Sequence, residues 1–368
     1  MNMHSSADRK QDLTEAYAPP VRNAPSGIVS TVRSRVGPVT SPPRTLVRRS
    51  FGSMQGCIVG KRYRITRAIG SGGMGTIFEA IDLQTGCEVA LKALTRVDGN
   101  VNALKRLRRE AETAVAVRSD YVCQVHYLGV EDGMPFIVME RLHGEPLRAR
   151  LAAEGALSLP DAYAITCQLL DALAATHATG VIHRDVKPSN IFITSPRGER
   201  PRLKLIDFGL AKLLQKQDPN SAAPAGHITA PDHIPGTLHY LAPEQLLGGA
   251  VDQRVDVYAA GLAFFEMLSG VRAYSGDTLD GLVRRIIFEP PPRVFELRDD
   301  LPPAIDDLLA MALAKDSSRR FLTAGAFRRA LSAVCEGFAE LPQRGASFRP
   351  EAKTLLDLDR REPPTNVR

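Results

Sequence analysis

The 368-residue sequence has no Cys-x-x-Cys pair, and its five cysteines (Cys57, Cys87, Cys123, Cys167 and Cys335) are scattered and odd in number. Zinc ribbons and thioredoxin chemistry are therefore excluded, and a reduced compartment is expected. Long apolar runs are missing too. The longest, Val257 to Phe265, falls well short of the ~20 residues that cross a bilayer. No signal-peptide h-region stands near Met1, so a cytoplasmic protein without a membrane span is expected. The net charge of +6 suggests a nucleic-acid partner until it is located. Residues 1–55 carry +5 and residues 337–368 carry +1, so the stretch between them is neutral. The basic stretch lacks the interleaved aromatics that stack on bases, which leaves a solvated arm and no nucleic-acid partner.

With 44% hydrophobic and 24% charged residues, most of the chain has the composition of a folded protein. Residues 1–56 are rich in Ser, Thr, Pro and Arg with no apolar period, and read as a disordered basic tail. Short alternations from Tyr63, a turn at Gln84-Thr85-Gly86, and the segments Val125–Gly129 and Phe136–Met139 read as strands. Ala103–Ala116 has helical period. After a connector at Arg141-Leu142-His143-Gly144 the pattern is helical, at Leu159–Ala178, Val257–Leu268, Pro303–Ala314 and Ala324–Gly337. The layout is α+β: a folded region over 57–336, with a small β-rich lobe with one main helix (57–140) and a larger helical lobe (145–336). A polar tail, 337–368, follows.

Ile69-Gly70-Ser71-Gly72-Gly73-Met74-Gly75-Thr76-Ile77 is a Gly-x-Gly-x-x-Gly segment. A dinucleotide fingerprint opens a helix, whereas Thr76 to Ile81 continues as a strand, so a glycine hairpin able to close over phosphates fits better than a dinucleotide turn. Val89-Ala90-Leu91-Lys92 then sets a Lys in an apolar strand, which is costly unless an anion meets it. Glu110, directly after Arg106-Leu107-Arg108-Arg109, is favoured as that anion; Glu112 is the alternative, and a solvated face is the plain reading of either. The strongest signal is Ile182-His183-Arg184-Asp185-Val186-Lys187-Pro188-Ser189-Asn190-Ile191, followed by Leu205-Ile206-Asp207-Phe208-Gly209. Phosphoryl transfer from ATP needs these types: a carboxylate for a hydroxyl, oxygen ligands for Mg²⁺, and a cation at the transferring phosphate.

Together these segments resemble the eukaryotic-like protein kinases, and among them the bacterial Ser/Thr kinases with a Gly-Gly-Met-Gly loop, over roughly residues 57–336. Gly236-Thr237-Leu238-His239-Tyr240-Leu241-Ala242-Pro243-Glu244 resembles the end of an activation segment. Val255-Asp256-Val257-Tyr258-Ala259-Ala260-Gly261 resembles the helix that anchors the catalytic loop, and Arg319-Arg320-Phe321 the arginine that pairs with Glu244. The resemblance implies the two-lobed kinase fold and a set of roles. Gly70, Gly72 and Gly75 would cover the ATP phosphates, with Ile69, Ser71, Gly73, Met74, Ile77 and Ala90 in the same nucleotide site. Lys92 would hold the α- and β-phosphates and pair with Glu110. Asp185 would be the catalytic base, Lys187 would meet the γ-phosphate, and Asn190 and Asp207 would bind Mg²⁺, with Mn²⁺ as a substitute. Met139 sits at the gatekeeper position, and Glu140 and Leu142 would offer backbone hydrogen bonds to adenine. Lys187 with Thr237 is the Ser/Thr pattern.

The resemblance also implies protein substrates, autophosphorylation through a transient homodimer, and an upstream regulator. Arg184 sets a cation beside Asp185, and in relatives with this Arg a phosphorylated activation-segment residue answers it. Ser221 and Thr229 are the hydroxyl residues between Lys216 and Pro235, and Thr229 is favoured with Ser221 second. Thr237 is set aside as a phosphosite, because its hydroxyl is expected to bond Asp185 and Lys187. The 194–202 stretch is longer than usual and should put Arg197, Arg200 and Arg202 on a surface hairpin. A pseudokinase scaffold is disfavoured by the full set of Lys92, Asp185, Asn190 and Asp207. A small-molecule kinase is disfavoured by the Gly-Thr…Ala-Pro-Glu segment. The histidines His126, His143, His177, His227, His233 and His239 have no metal spacing and read as structural, and Phe264, Phe265 and Cys167 as core.

Overall fold

Apolar alternation between Tyr63 and Leu94 does its work by dividing three strands into a core face and a cleft face. In a computed structural model describing residues 54–72, 75–94, 117–131, 134–207 and 236–335, the first lobe is one antiparallel sheet. Its strands are β1 (Ile58–Val59), β2 (Tyr63–Gly72), β3 (Gly75–Asp82), β4 (Glu88–Leu94), β5 (Val125–Glu131) and β6 (Met134–Glu140), in the order β1-β2-β3-β4-β6-β5. Val59, Tyr63, Ile65, Phe78, Ala80, Leu91, Ala93, Phe136 and Val138 pack together on one face. Strand side chains alternate, so Ile77, Glu79, Ala90 and Lys92 share the other. The register fixes this, with Ile77 opposite Lys92, Glu79 opposite Ala90, and Ala90 opposite Met139.

Met54 packs on this core, and Gly56 N donates to Ile65 O at 2.9 Å, so contacts of the first lobe extend three residues ahead of the boundary expected at residue 57. The expected helix over 103–116, with Glu110 and Glu112, lies outside the described residues. So do Gly73, Met74, Phe208, Gly209, Ser221, Thr229, His227, His233 and the tails up to residue 53 and from residue 336.

The connector ends in a short strand, β7 (Glu145–Pro146), and Gly144 is held at φ 138° where a Cβ would stand 2.0 Å from Ile193 O. The larger lobe runs α1 (Leu147–Glu154), α2 (Leu159–Ala178), β8 (Ile191–Ile193), β9 (Leu203–Leu205), α3 (Pro243–Leu246) and α4 (Arg254–Ser269). It continues through α5 (Leu279–Phe288), α6 (Val294–Leu297), α7 (Ala304–Ala312) and α8 (Ala324–Cys335). Ser158 caps α2 by accepting from Asp161 N, and left-handed Gly270 (φ 70°) stops α4. Helix α4 is buried on nearly every side, Phe264 and Phe265 completely so, which is why its pattern is apolar all round. α1 offers little to a reading by periodicity, since it buries only Leu147, Arg150 and Leu151. α5 does carry the period, with Leu279, Leu282, Val283 and Ile286 on one face, although it is absent from the helices expected above. The 194–202 stretch is a surface hairpin, closed by Thr194 N to Arg202 O at 2.9 Å, with Arg197, Arg200 and Arg202 exposed. Among the described residues no helix is long and apolar enough to cross a membrane.

Candidate active site

Lys92 comes from the cleft face of β4 with its side chain only 8% exposed, and its Nζ lies 2.7 Å from Asp207 Oδ1. A buried ammonium requires a carboxylate, and among the described residues Lys92 finds it in Asp207; the expected partner Glu110 lies outside them. The glycine loop closes with Gly72 opposite Gly75. Gly75 has φ 146° and a Cβ there would meet Ala93 O at 2.1 Å, so packing alone demands this glycine. At Gly72 no described residue stands within 4 Å of the same point.

The loop after α2 hangs on one carboxylate. Asp256, 1% exposed on α4, accepts from His183 N and Arg184 N at 2.8 Å each, and its Oδ2 is 2.8 Å from His177 Nε2. Those bonds hold Arg184 at φ 61°, a left-handed conformation that costs a non-glycine residue about 1–3 kcal/mol. Asp207 has φ 58° as well. His183 is buried, its Nε2 lies 3.1 Å from Ile206 O, and burial pushes its pKa down, which favours the neutral ring. Ile206 N in turn donates to Asn190 O at 2.9 Å, so the two segments carrying Asn190 and Asp207 are stitched side by side.

Within that frame the polar groups converge. Lys187 Nζ donates to Asp185 Oδ2 and to Thr237 Oγ1, both at 2.9 Å. Asn190 Nδ2 donates to Asp185 O at 2.8 Å and Oδ2 at 3.0 Å. The expected Thr237 contact to Lys187 is therefore direct, and Lys187 relays it to Asp185. With its Nδ2 committed as donor, Asn190 keeps Oδ1 as an oxygen that can ligate a metal, and Asp207 keeps a second carboxylate oxygen beyond Lys92. An oxygen-only set of this kind fits Mg²⁺ or Mn²⁺.

At the connector, Glu140 N donates to Gln124 O at 2.9 Å, and the Glu140 carboxylate pairs with Lys204 Nζ at 3.0 Å. Its amide is therefore used, and its carbonyl takes the Cys123 thiol at 3.8 Å. Arg141 donates to the Leu142 carbonyl and reaches Glu79 Oε2 from Nε at 3.1 Å. Glu79 also takes Arg67, and these arginines hold its carboxyl below the usual range. Sequence reasoning did not find this strap; its partners lie 62 residues apart and no motif links them. At the far end of the segment, Arg320 grips Glu244 with both terminal nitrogens, at 2.6 and 2.8 Å.

The protein kinase domain family model matches residues 63–330. The Ser/Thr-protein kinase PknA of Mycobacterium tuberculosis is 37% identical over 288 residues, 77% of this chain and 63% of PknA. A probable Ser/Thr-protein kinase of Corynebacterium efficiens is 37% identical over 276 residues, 73% of this chain and 40% of that protein. The chain thus spans less than two thirds of the length of these curated relatives. Among solved structures, the M. tuberculosis PknI kinase domain superposes with a TM-score of 0.60 at 25% identity, covering 76% of this chain and 99% of that one. Rad53 residues 1–466 in complex with AMP-PNP gives 0.59 at 25% identity, over 73% and 64%.

Proposed function

Because the chain belongs to the protein kinase family, we propose that it transfers the γ-phosphoryl group of MgATP to Ser and Thr hydroxyls of proteins, itself included. The observation that carries this reading is the Lys187 ammonium, 2.9 Å from both Asp185 Oδ2 and Thr237 Oγ1. It joins a carboxylate able to take a hydroxyl proton to the segment along which an acceptor chain would lie. Asp185 orients the acceptor hydroxyl and receives its proton as the oxygen attacks phosphorus. Lys187 offsets charge on the transferring group. Lys92 holds the α- and β-phosphates once nucleotide separates it from Asp207, and Ile77, Ala90 and Met139 wall the adenine. Asn190 and Asp207 would hold the Mg²⁺, which supplies charge neutralisation across the phosphates. The AMP-PNP held by Rad53 supports a nucleotide in this cleft.

Regulation is read in the same terms. Phosphate on Thr229, with Ser221 second, would bring about −1.5 to −2 of charge to Arg184. Transfer between two transiently paired copies would place it there. The scattered, odd-numbered cysteines with no Cys-x-x-Cys pair support a reduced, cytoplasmic setting. Labelled ATP with Mg²⁺ and a generic protein acceptor tests the activity. Asp185→Asn should keep its melting temperature and nucleotide binding while losing about 10²–10⁴-fold in turnover. Near-native transfer by that variant would sink the assignment.

A further inference from the structure

The acceptor side of the cleft is arranged around positive charge. Thr237, bonded to Lys187, begins a segment that runs through Leu238, His239 and Tyr240 immediately beside Asp185. Two guanidiniums close on that segment from opposite elements. Arg148, exposed on α1, holds Nη1 3.6 Å from where a Cβ on Gly236 would stand. Arg272, just past α4, donates from Nη1 to His239 Nε2 at 3.1 Å.

The carboxylate on which both arginines act is already engaged. Glu266, in the last turn of α4, accepts from the Tyr240 hydroxyl, and both Arg272 and Arg148 act on it electrostatically. His239 adds no charge. Burial and the neighbouring Arg272 push its pKa down to about 4, so it is neutral near pH 7 and accepts from Arg272. Two arginines thus face one carboxylate that is hydrogen-bonded inward. Among the described residues Arg148 has no hydrogen bond or ion pair, so its charge is open to a passing chain.

We propose that Arg148 and Arg272 are specificity residues that select acceptor segments carrying Asp or Glu next to the phosphorylated Ser or Thr. This rests on the kinase reading and names its substrate class. An acidic side chain entering this groove meets two cations. A basic one meets the same two cations, with Glu266 already claimed by Tyr240. Discrimination between partners is a difference of affinities, and like-charge contact contributes to it as much as attraction does.

The test uses three peptides with a single Thr, identical except that its flanking residues are Glu, Gln or Lys. For the full chain, kcat/KM should be about threefold to tenfold higher for the Glu than for the Gln peptide, the size that partly exposed ion pairs supply. The Lys peptide should be the poorest. Arg148→Gln should shrink the Glu-to-Gln ratio, Arg148→Lys should retain most of it, and Arg148→Gln with Arg272→Gln should bring it near one. Arg148 is exposed, so its single variant carries the test even if Arg272→Gln unfolds the protein. Raised salt should compress the ratio in the unmodified protein. A preference for Lys, equal rates for all three peptides, or a ratio untouched in Arg148→Gln would overturn the proposal. Autophosphorylation without transfer to any peptide would overturn it alone. No transfer of any kind would remove the kinase reading beneath it.

Discussion

Arg320 shows how much a single side chain can hold. Its guanidinium is completely buried, grips the Glu244 carboxylate with two nitrogens, donates to Ala314 O and Lys315 O, and lies 4.7 Å from the Tyr258 ring centre. Removing one member of such a pair strands the other charge, at about 3–5 kcal/mol. Arg320→Ala should therefore lower the melting temperature by several degrees or more, and an unchanged thermal melt would show that the pair contributes little. The neighbouring Lys315 should reveal itself through pH. Burial first, and then Arg320, push its pKa down to about 8. The unfolded chain, with lysine near 10.4, binds more protons than the fold between those values, so this residue makes stability rise as pH climbs from about 8 to 10.4. Below pH 8 its unfavourable contribution is fully present. Subtracting the melting curve of Lys315→Met from that of the parent across pH 7–10.5 should isolate the rise, and a flat difference would exclude it.

At the scale of elements, the strap from β3 to the connector is the arrangement most directly tied to nucleotide. Glu79 shares the cleft face with Ile77, Ala90 and Lys92, and Arg141 joins it to the peptide that follows, at Leu142. Neutralising Glu79 releases Arg141 and loosens the spacing between the sheet and the connector. Glu79→Gln should raise KM for ATP several-fold while leaving kcat within about twofold, because a positioning group acts on ground-state binding. A fall in kcat at constant KM would show that the strap serves the transfer step instead. This strap also marks where sequence reading stops. Asp185, Lys187, Asn190 and Asp207 were legible because their spacing is local and each residue type has a chemical task. The Leu159–Ala178 helix is legible from its pattern, while its Ser158 cap shows only in the fold. By contrast, Arg298 is 2% exposed and donates to Leu157 O and Leu268 O, 141 and 30 residues away. An arginine in a loop reads as solvated until the fold buries it. Glu79 and Arg141, Tyr240 and Glu266, and His239 and Arg272 are contacts of the same kind, set by the packing of distant elements. Gly75 shows the converse: its motif position was plain, yet Ala93 O is the steric reason for that glycine.

For the whole molecule, the sharpest question is where the folded region begins, since the family match starts at residue 63 while ordered contacts start earlier. Val59 is 5% exposed in the first-lobe core, Gly60 N donates to Glu131 Oε2 at 3.1 Å, and Ile65 N donates to Cys57 O at 2.9 Å. These contacts brace β2, the strand that carries Gly70 and Gly72 over the cleft. Burying a valine is worth about 1.5–3 kcal/mol, and the hydrogen bonds add roughly 0.5–1.5 kcal/mol each. Two truncations should therefore differ sharply. Deleting residues 1–50 spares every one of these contacts, and should leave the melting temperature and the transfer rate on a generic acceptor close to those of the full chain. Deleting residues 1–60 removes Val59 and the Cys57 and Gly60 bonds, and should lower the melting temperature by several degrees and raise KM for ATP as the strands above the phosphates lose their support. If the shorter deletion already abolishes transfer, the basic N-terminal stretch takes part in the active fold and the boundary near Met54 is wrong. If the longer deletion is silent, β1 is dispensable and the family match marks the true start.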